Sequence, residues 1–140
     1  MSKNVTFPIA KLLKEKGFNE PCDDYYTSKG MLNSDGYGDI IFDQGFNSHD
    51  YEKMLKFDYS DFDKKQKEDY FLCPTISDVV DWLLEKHGIW ISVFTNSSGK
   101  FNYLITKTNS KEMIDELNTK FDTPKEAYLS AIEYTLKNLI

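Results

Sequence analysis

The chain contains no arginine: all seventeen of its basic residues are lysines. It therefore has no planar guanidinium fork to grip a phosphate or a guanine edge in two-point fashion, the contact on which many nucleic-acid readers rely. Direct binding of DNA or RNA is not expected. Cysteine is scarce. Cys22 and Cys73 are too few for a disulfide framework or a four-cysteine zinc site, and their strand-like neighbours read them as small, buried, reduced thiols. Long apolar runs are also missing. No segment approaches the roughly 20 residues needed to cross a bilayer, and the opening Met-Ser-Lys-Asn-Val-Thr lacks the apolar core of a signal peptide. A cytoplasmic protein without a membrane partner is the expectation.

What is present fits one folded unit. The 140 residues are 40% apolar and 29% charged, a globular rather than a disordered profile, and long enough for one core of ordinary size. The expected organisation is a single domain over 1–140 with an acidic, aromatic insert at about 44–69. The net charge of −6 is unevenly spread. Between Glu20 and Phe71 stand thirteen carboxylates against six lysines, whereas the remainder holds ten against eleven.

Thr75 to Lys107 is the most legible stretch. Thr75 and Asp78 have capping-box spacing, and Ile76, Val79, Val80, Leu83 and Leu84 recur at helical period. His87 closes the last turn and Gly88 supplies a left-handed stop. Ile89–Thr95 and Phe101–Lys107 are β-rich runs joined by Asn96-Ser97-Ser98-Gly99-Lys100, which predicts a hairpin. Phe7–Lys16 predicts a first helix that Thr6 caps and Gly17 stops, with Phe18 folding back over its last turn. Thr123, Pro124 and Glu126 start the last helix, whose stripe Ala127, Tyr128, Ala131, Ile132, Thr135, Leu136 and Leu139 can cover a sheet. Strands are predicted at Cys22–Thr27, Tyr37–Asp43 and Tyr70–Cys73, a solvated loop at Lys64–Asp69, and a helical turn or two within Ser110–Asn118.

The fold class that follows is α+β: a single antiparallel or mixed sheet of about four strands packed against two or three helices. Leu12-Leu13-Lys14-Glu15-Lys16-Gly17-Phe18 and Leu83-Leu84-Glu85-Lys86-His87-Gly88-Ile89 hold equivalent places. A duplicated helix–strand–strand unit would account for that, as would the general likeness of helices that end in glycine before a strand.

No catalytic or cofactor signature emerges. His87 is placed for a helix C-terminus, and His49 has no partner at recognisable spacing, so neither cysteine acquires a triad. The run Asn33-Ser34-Asp35-Gly36-Tyr37-Gly38-Asp39 hints at a calcium loop. Aligning Gly36 with the required glycine, however, puts Met31 at the first ligand position and Phe42 at the twelfth, so a turn is the better reading. No phosphate-binding glycine loop, dinucleotide fingerprint or His-Glu-x-x-His zinc motif occurs. No cofactor, metal or catalytic residue is assigned.

The candidate binding residues are Asp50, Tyr51, Asp58, Tyr59, Asp61, Phe62 and Asp63, from the stretch Gln44–Glu68 in which acids interleave with aromatic rings and five lysines. Such a segment can present a negative, aromatic face to a basic partner or serve as a solvated cover over the sheet. Trp90 joins them because it alternates out of phase with Ile89, Ile91 and Val93, and an exposed tryptophan makes an interface anchor.

Four strings carry a resemblance: Ile9 to Phe18, Pro74 to Trp82, His87-Gly88-Ile89 and Phe121 to Ala127. In that order and spacing the chain resembles a widespread family of small proteins from gut bacteria, their prophages and their phages. The likeness covers both ends and the helix–hairpin centre, but not the insert, and it brings no catalytic signature. It implies a mobile-element setting, in which anti-defence activity, including inhibition of a CRISPR effector, is an expected class of function.

The functional expectation is a non-enzymatic, acidic accessory factor that binds a basic host or defence protein. The alternative is an enzyme or small-ligand-binding protein whose site is assembled from residues distant in sequence. A homodimer formed by edge pairing at Phe101–Lys107 is a third arrangement.

Overall fold

The computed structural model describes residues 3–33, 56–115 and 120–140. Contacts between Cα atoms divide the chain into two compact units, one spanning Asn4–Pro74 and the other Thr75–Ile140 with Lys3.

In the first unit, α1 (Phe7–Glu15) begins with Pro8 in its first turn and without a side-chain cap from Thr6. It buries Ile9, Ala10 and Leu13. Gly17 takes a left-handed φ of +84°, and the Phe18 N–H reaches back to the Leu13 carbonyl at 2.9 Å. This return closes the helix and turns the Phe18 ring into the core, where it is 1% exposed. β1 (Tyr25–Thr27), β2 (Leu32–Asn33) and β3 (Tyr70–Leu72) form an antiparallel sheet in the order β2-β1-β3, with Tyr25 opposite both Asn33 and Leu72. The strand predicted from Cys22 is shorter than expected, because Cys22 instead bridges Phe57 through two backbone hydrogen bonds of 2.7 and 2.9 Å. The predicted strand Tyr37–Asp43 lies outside the described residues. Lys64–Asp69, expected as loop, is a helix, α2. Asp63 accepts from the Gln66 N–H while the Gln66 side chain accepts from the Asp63 N–H, a reciprocal box whose Asp-x-x-Gln spacing was present in the sequence.

The second unit is built on the most legible stretch. α3 (Ile76–His87) starts where the Asp78 N–H donates to Thr75 Oγ1 at 3.2 Å and stops at Gly88, φ +66°. β4 (Ile89–Thr95) and β5 (Phe101–Lys107) pair antiparallel from Ile89–Lys107 to Thr95–Phe101. The segment expected to be helical within Ser110–Asn118 instead forms a third strand, β6 (Glu112–Asp115), with Ile114 opposite Ile105. A short segment just after a strand gains more from pairing with that strand than from an isolated helical turn. α4 (Pro124–Asn138) and α3 pack on this sheet, burying Val79, Leu83, Ile91, Ile105, Ala131 and Ile132.

The α+β class stands, but the expected single sheet of about four strands does not. The described strands form two three-stranded antiparallel sheets, accompanied by four α-helices and a 3₁₀ turn at Tyr59–Asp61. Each short strand pairs within its own unit, so the strands never merge into one sheet. The two sheets also have different orders: the strand after α1 is central, whereas the strand after α3 is at the end of its sheet. The described strands thus do not repeat one topology. β5, expected to offer a free edge to a twin, has β4 on one side and β6 on the other.

Gly88 provides a test of this frame. A Cβ there would lie 3.1 Å from Asn109 Nδ2 and 3.2 Å from Thr108 Oγ1, on a residue already at positive φ. Gly88→Ala should cost about 1–2 kcal/mol in denaturant unfolding, a figure for forcing an L-residue left-handed. Gly17→Ala, which meets nothing within 4 Å, should cost less.

Candidate functional site

Three of the acids predicted to bind, Asp58, Asp61 and Asp63, are used to start short helices. Asp58 accepts from the Ser60 N–H at 2.8 Å, and Asp61 returns the contact by accepting from the Asp58 N–H at 2.9 Å. Asp63 caps α2. The aromatic residues between them turn inward. Phe62 is 4% exposed and packs 5.5 Å from Phe57 and 5.4 Å from Tyr59, ring centre to ring centre. The Tyr59 hydroxyl accepts the Leu72 N–H at 2.8 Å, tying the 3₁₀ turn to β3. Asp58, Tyr59, Asp61, Phe62 and Asp63 thus lie together, but as two caps and part of a core. Asp50 and Tyr51, like His49, lie outside the described residues.

The same unit holds its perturbed groups. Lys14 donates to the Lys67 carbonyl and, at 2.9 Å, to the Tyr70 carbonyl at the end of α2, with its ammonium 4.5 Å from the Phe71 ring centre. Burial there lowers its pKa, and Asp69 and Glu68 partly restore it. Cys73 donates to the Val5 carbonyl at 3.5 Å and accepts from Asn4 Nδ2 at 3.4 Å; burial pushes this thiol up, against a partial opposing pull from Asn4. A thiol held protonated in this way is a core group rather than a ready nucleophile. Burial likewise raises Tyr26 and Tyr59. Among the described residues, no group of three or more His, Cys, Asp or Glu side chains is placed to hold a metal ion. No described helix is long and apolar enough to cross a membrane.

The concave surface lies in the other unit, at the side-by-side starts of α3 and α4. The Ile76 N–H donates to the Lys3 carbonyl at 2.9 Å, which brings Lys3 to the start of α3. The Glu126 N–H donates to Thr123 Oγ1 at 3.2 Å, which closes the start of α4. Between these two starts is a cavity of about 510 Å³. Lys3, Thr75, Ile76 and Ser77 line one side, and Thr123, Pro124, Lys125 and Tyr128 the other. A smaller groove of about 280 Å³ shares Ile76, Ser77 and Tyr128 with it and is also lined by Val80, Asp81 and Trp90. Trp90 is 39% exposed, whereas Trp82 is buried with its ring set edge-on to His87 at 4.8 Å.

The chain matches no family model, no curated protein and no solved structure. Its functional reading therefore rests on residues and geometry. Of the predicted site residues that are described, only Trp90 lines this groove. Sequence reasoning missed Lys3, Asp81, Lys125 and Tyr128. Both capped helix starts were readable, but nothing in their spacing says that Thr75 and Thr123 begin neighbouring helices. No ion pair or hydrogen bond joins the side chains of Lys3, Asp81 or Lys125, or the Tyr128 hydroxyl, among the described residues. By contrast, Lys100, Lys107 and Lys137 each face a carboxylate. The cavity and the groove together place two lysines and one aspartate, none of them paired among the described residues, around a mainly apolar surface.

The raised groups of the first unit set a pH dependence. The ordinary values are 9.0 for Cys73 and 10.0 for Tyr26 and Tyr59. Each stays protonated in the fold after its unfolded counterpart has ionised, so unfolding releases protons. Their contribution is complete below the unfolded values and is lost as pH rises through the folded ones. Denaturant midpoints should fall between about pH 8 and about pH 11, and Cys73→Ala with Tyr59→Phe should flatten the fall.

Proposed function

We propose that the protein is a non-enzymatic binding factor that engages a protein partner through the groove at Trp90. The observation that carries this reading is a half-exposed tryptophan set beside Tyr128, Ile76 and Val80 in one concave, mainly apolar surface. Tryptophan and tyrosine dominate binding hot spots because a large, stiff ring buries much area at little entropic cost. Phe94, on the same strand and 42% exposed, can widen the contact. The setting is the one the sequence resemblance implies: a cytoplasmic accessory factor of a phage or mobile element that acts on a host or defence protein, with a CRISPR effector as the leading target. A basic partner complements the chain's net charge of −6, with the acids steering the approach rather than forming the anchor. The alternative is an enzyme or small-ligand-binding protein with a site assembled from distant residues. It draws support, for ligand binding, from the cavity beside the groove.

The test is plasmid interference in cells that carry a CRISPR effector. Expression of the protein should protect a targeted plasmid. Trp90→Ala should reduce affinity for the effector at least tenfold, a loss of about 1.4 kcal/mol, with an unchanged melting profile. A folded Trp90→Ala variant that binds like the parent would overturn the groove as the contact surface. Absence of protection would overturn the anti-defence assignment.

A further inference from the structure

We infer that the cavity between the starts of α3 and α4 binds a small amphipathic anion of the alkyl- or aryl-carboxylate class. The apolar body would lie on Ile76, Pro124 and the Tyr128 ring, and the head between the Lys3 and Lys125 ammonium groups. This inference goes beyond the protein-binding reading and does not depend on it.

The size is right. A cavity of about 510 Å³ falls within the range of about 300–1,000 Å³ typical of small-molecule sites. Its lining is mainly apolar, with Ile76, Pro124 and Tyr128 as its large carbon-bearing side chains. Its formal charge is of one sign, because Lys3 and Lys125 are the only charged residues among those that line it. Neither is neutralised by a carboxylate among the described residues, unlike Lys100, Lys107 and Lys137 of the same unit. Charge and polarity together narrow the occupant. A bare inorganic anion would satisfy the ammonium groups and leave the apolar wall wet. A neutral apolar molecule would fill the wall and leave both cations unused. Only a molecule with an apolar body and one anionic end meets both demands, and the Tyr128 hydroxyl and Ser77 add hydrogen-bonding capacity beside it.

The experiment is a calorimetric and NMR titration of the full chain with octanoate and phenylbutyrate. Octanamide and inorganic phosphate serve as the two comparison probes. Both carboxylates should bind saturably, with shifts centred on Ser77, Lys125 and Tyr128. The amide and the phosphate should each bind at least tenfold more weakly, about 1.4 kcal/mol. The double variant Lys3→Glu/Lys125→Glu should lose at least tenfold, and Lys137→Glu on the far part of α4 should lose nothing. Equal binding of octanoate and octanamide would overturn the role of the lysines. Phosphate binding as tightly as octanoate would overturn the role of the apolar wall. No saturation up to about 10 mM, weaker than any affinity of about 3 kcal/mol, would overturn the site itself. The amide and phosphate arms use the unmodified chain, so the result stands whether or not a variant folds.

Discussion

The N–H groups in the first turn of a helix need acceptors from outside the helix, and at four starts in this chain, though not at α1, a side chain supplies one. Thr75, Thr123 and Asp63 each accept from the residue three places on, and Asp58 accepts from Ser60 to start the 3₁₀ turn. These short contacts, each worth about 1 kcal/mol, decide where the chain stops being extended and begins to coil. The rest of the structure hangs on those decisions. The caps at Thr75 and Thr123 put the first turns of two helices beside one cavity. The caps at Asp58 and Asp63 consume acids that would otherwise read as a docking face.

The two units use burial differently. In Asn4–Pro74, small elements are held by polar side chains that reach the backbone of distant segments: Lys14 to the end of α2, Tyr59 to β3, Asn4 to Cys73. Several of these groups are desolvated, so the unit carries titratable burdens along with its contacts. In Thr75–Ile140, two amphipathic helices cover one face of a regular sheet, and the buried residues are mostly aliphatic, with Trp82, Tyr103, Asn102 and Thr135 among them. That plainer core lets the second unit place polar and charged side chains around a concavity without using them to hold the fold. Binding capacity and structural duty are thereby separated, which is why Lys3, Lys125 and Tyr128 are left without partners among the described residues.

A groove ending in an exposed tryptophan and a cavity ending in two lysines share Ile76, Ser77 and Tyr128. A macromolecule seated at Trp90 and a small anion seated at Lys125 would therefore meet on the same three residues. The acidic excess of the sequence acts over longer distance and is screened by salt, whereas the groove acts by contact. On the proposed reading, approach and anchoring would belong to different parts of the chain.

Much of the local chemistry was legible in the sequence. Thr75 as cap, Gly88 as left-handed stop, the Ile89–Lys107 hairpin and the Thr123-Pro124 helix start all follow from groups within a few residues of one another, and the structure bears each of them out. The Asp63–Gln66 box was written there too, though it was passed over beneath a run of charge. Tertiary structure alone decided what depends on distant partners. Glu112–Asp115 is a strand because β5 lies beside it, and Phe62 is core because Phe57 and Tyr70 surround it. Lys3 and Lys125 line one cavity because the Lys3 carbonyl meets the Ile76 N–H at the start of α3, beside the start of α4. Caps and turns are decided by neighbours in sequence. Sheets, cores and sites are decided by which apolar faces meet, and a periodic stripe states that a face is apolar without naming the face that covers it.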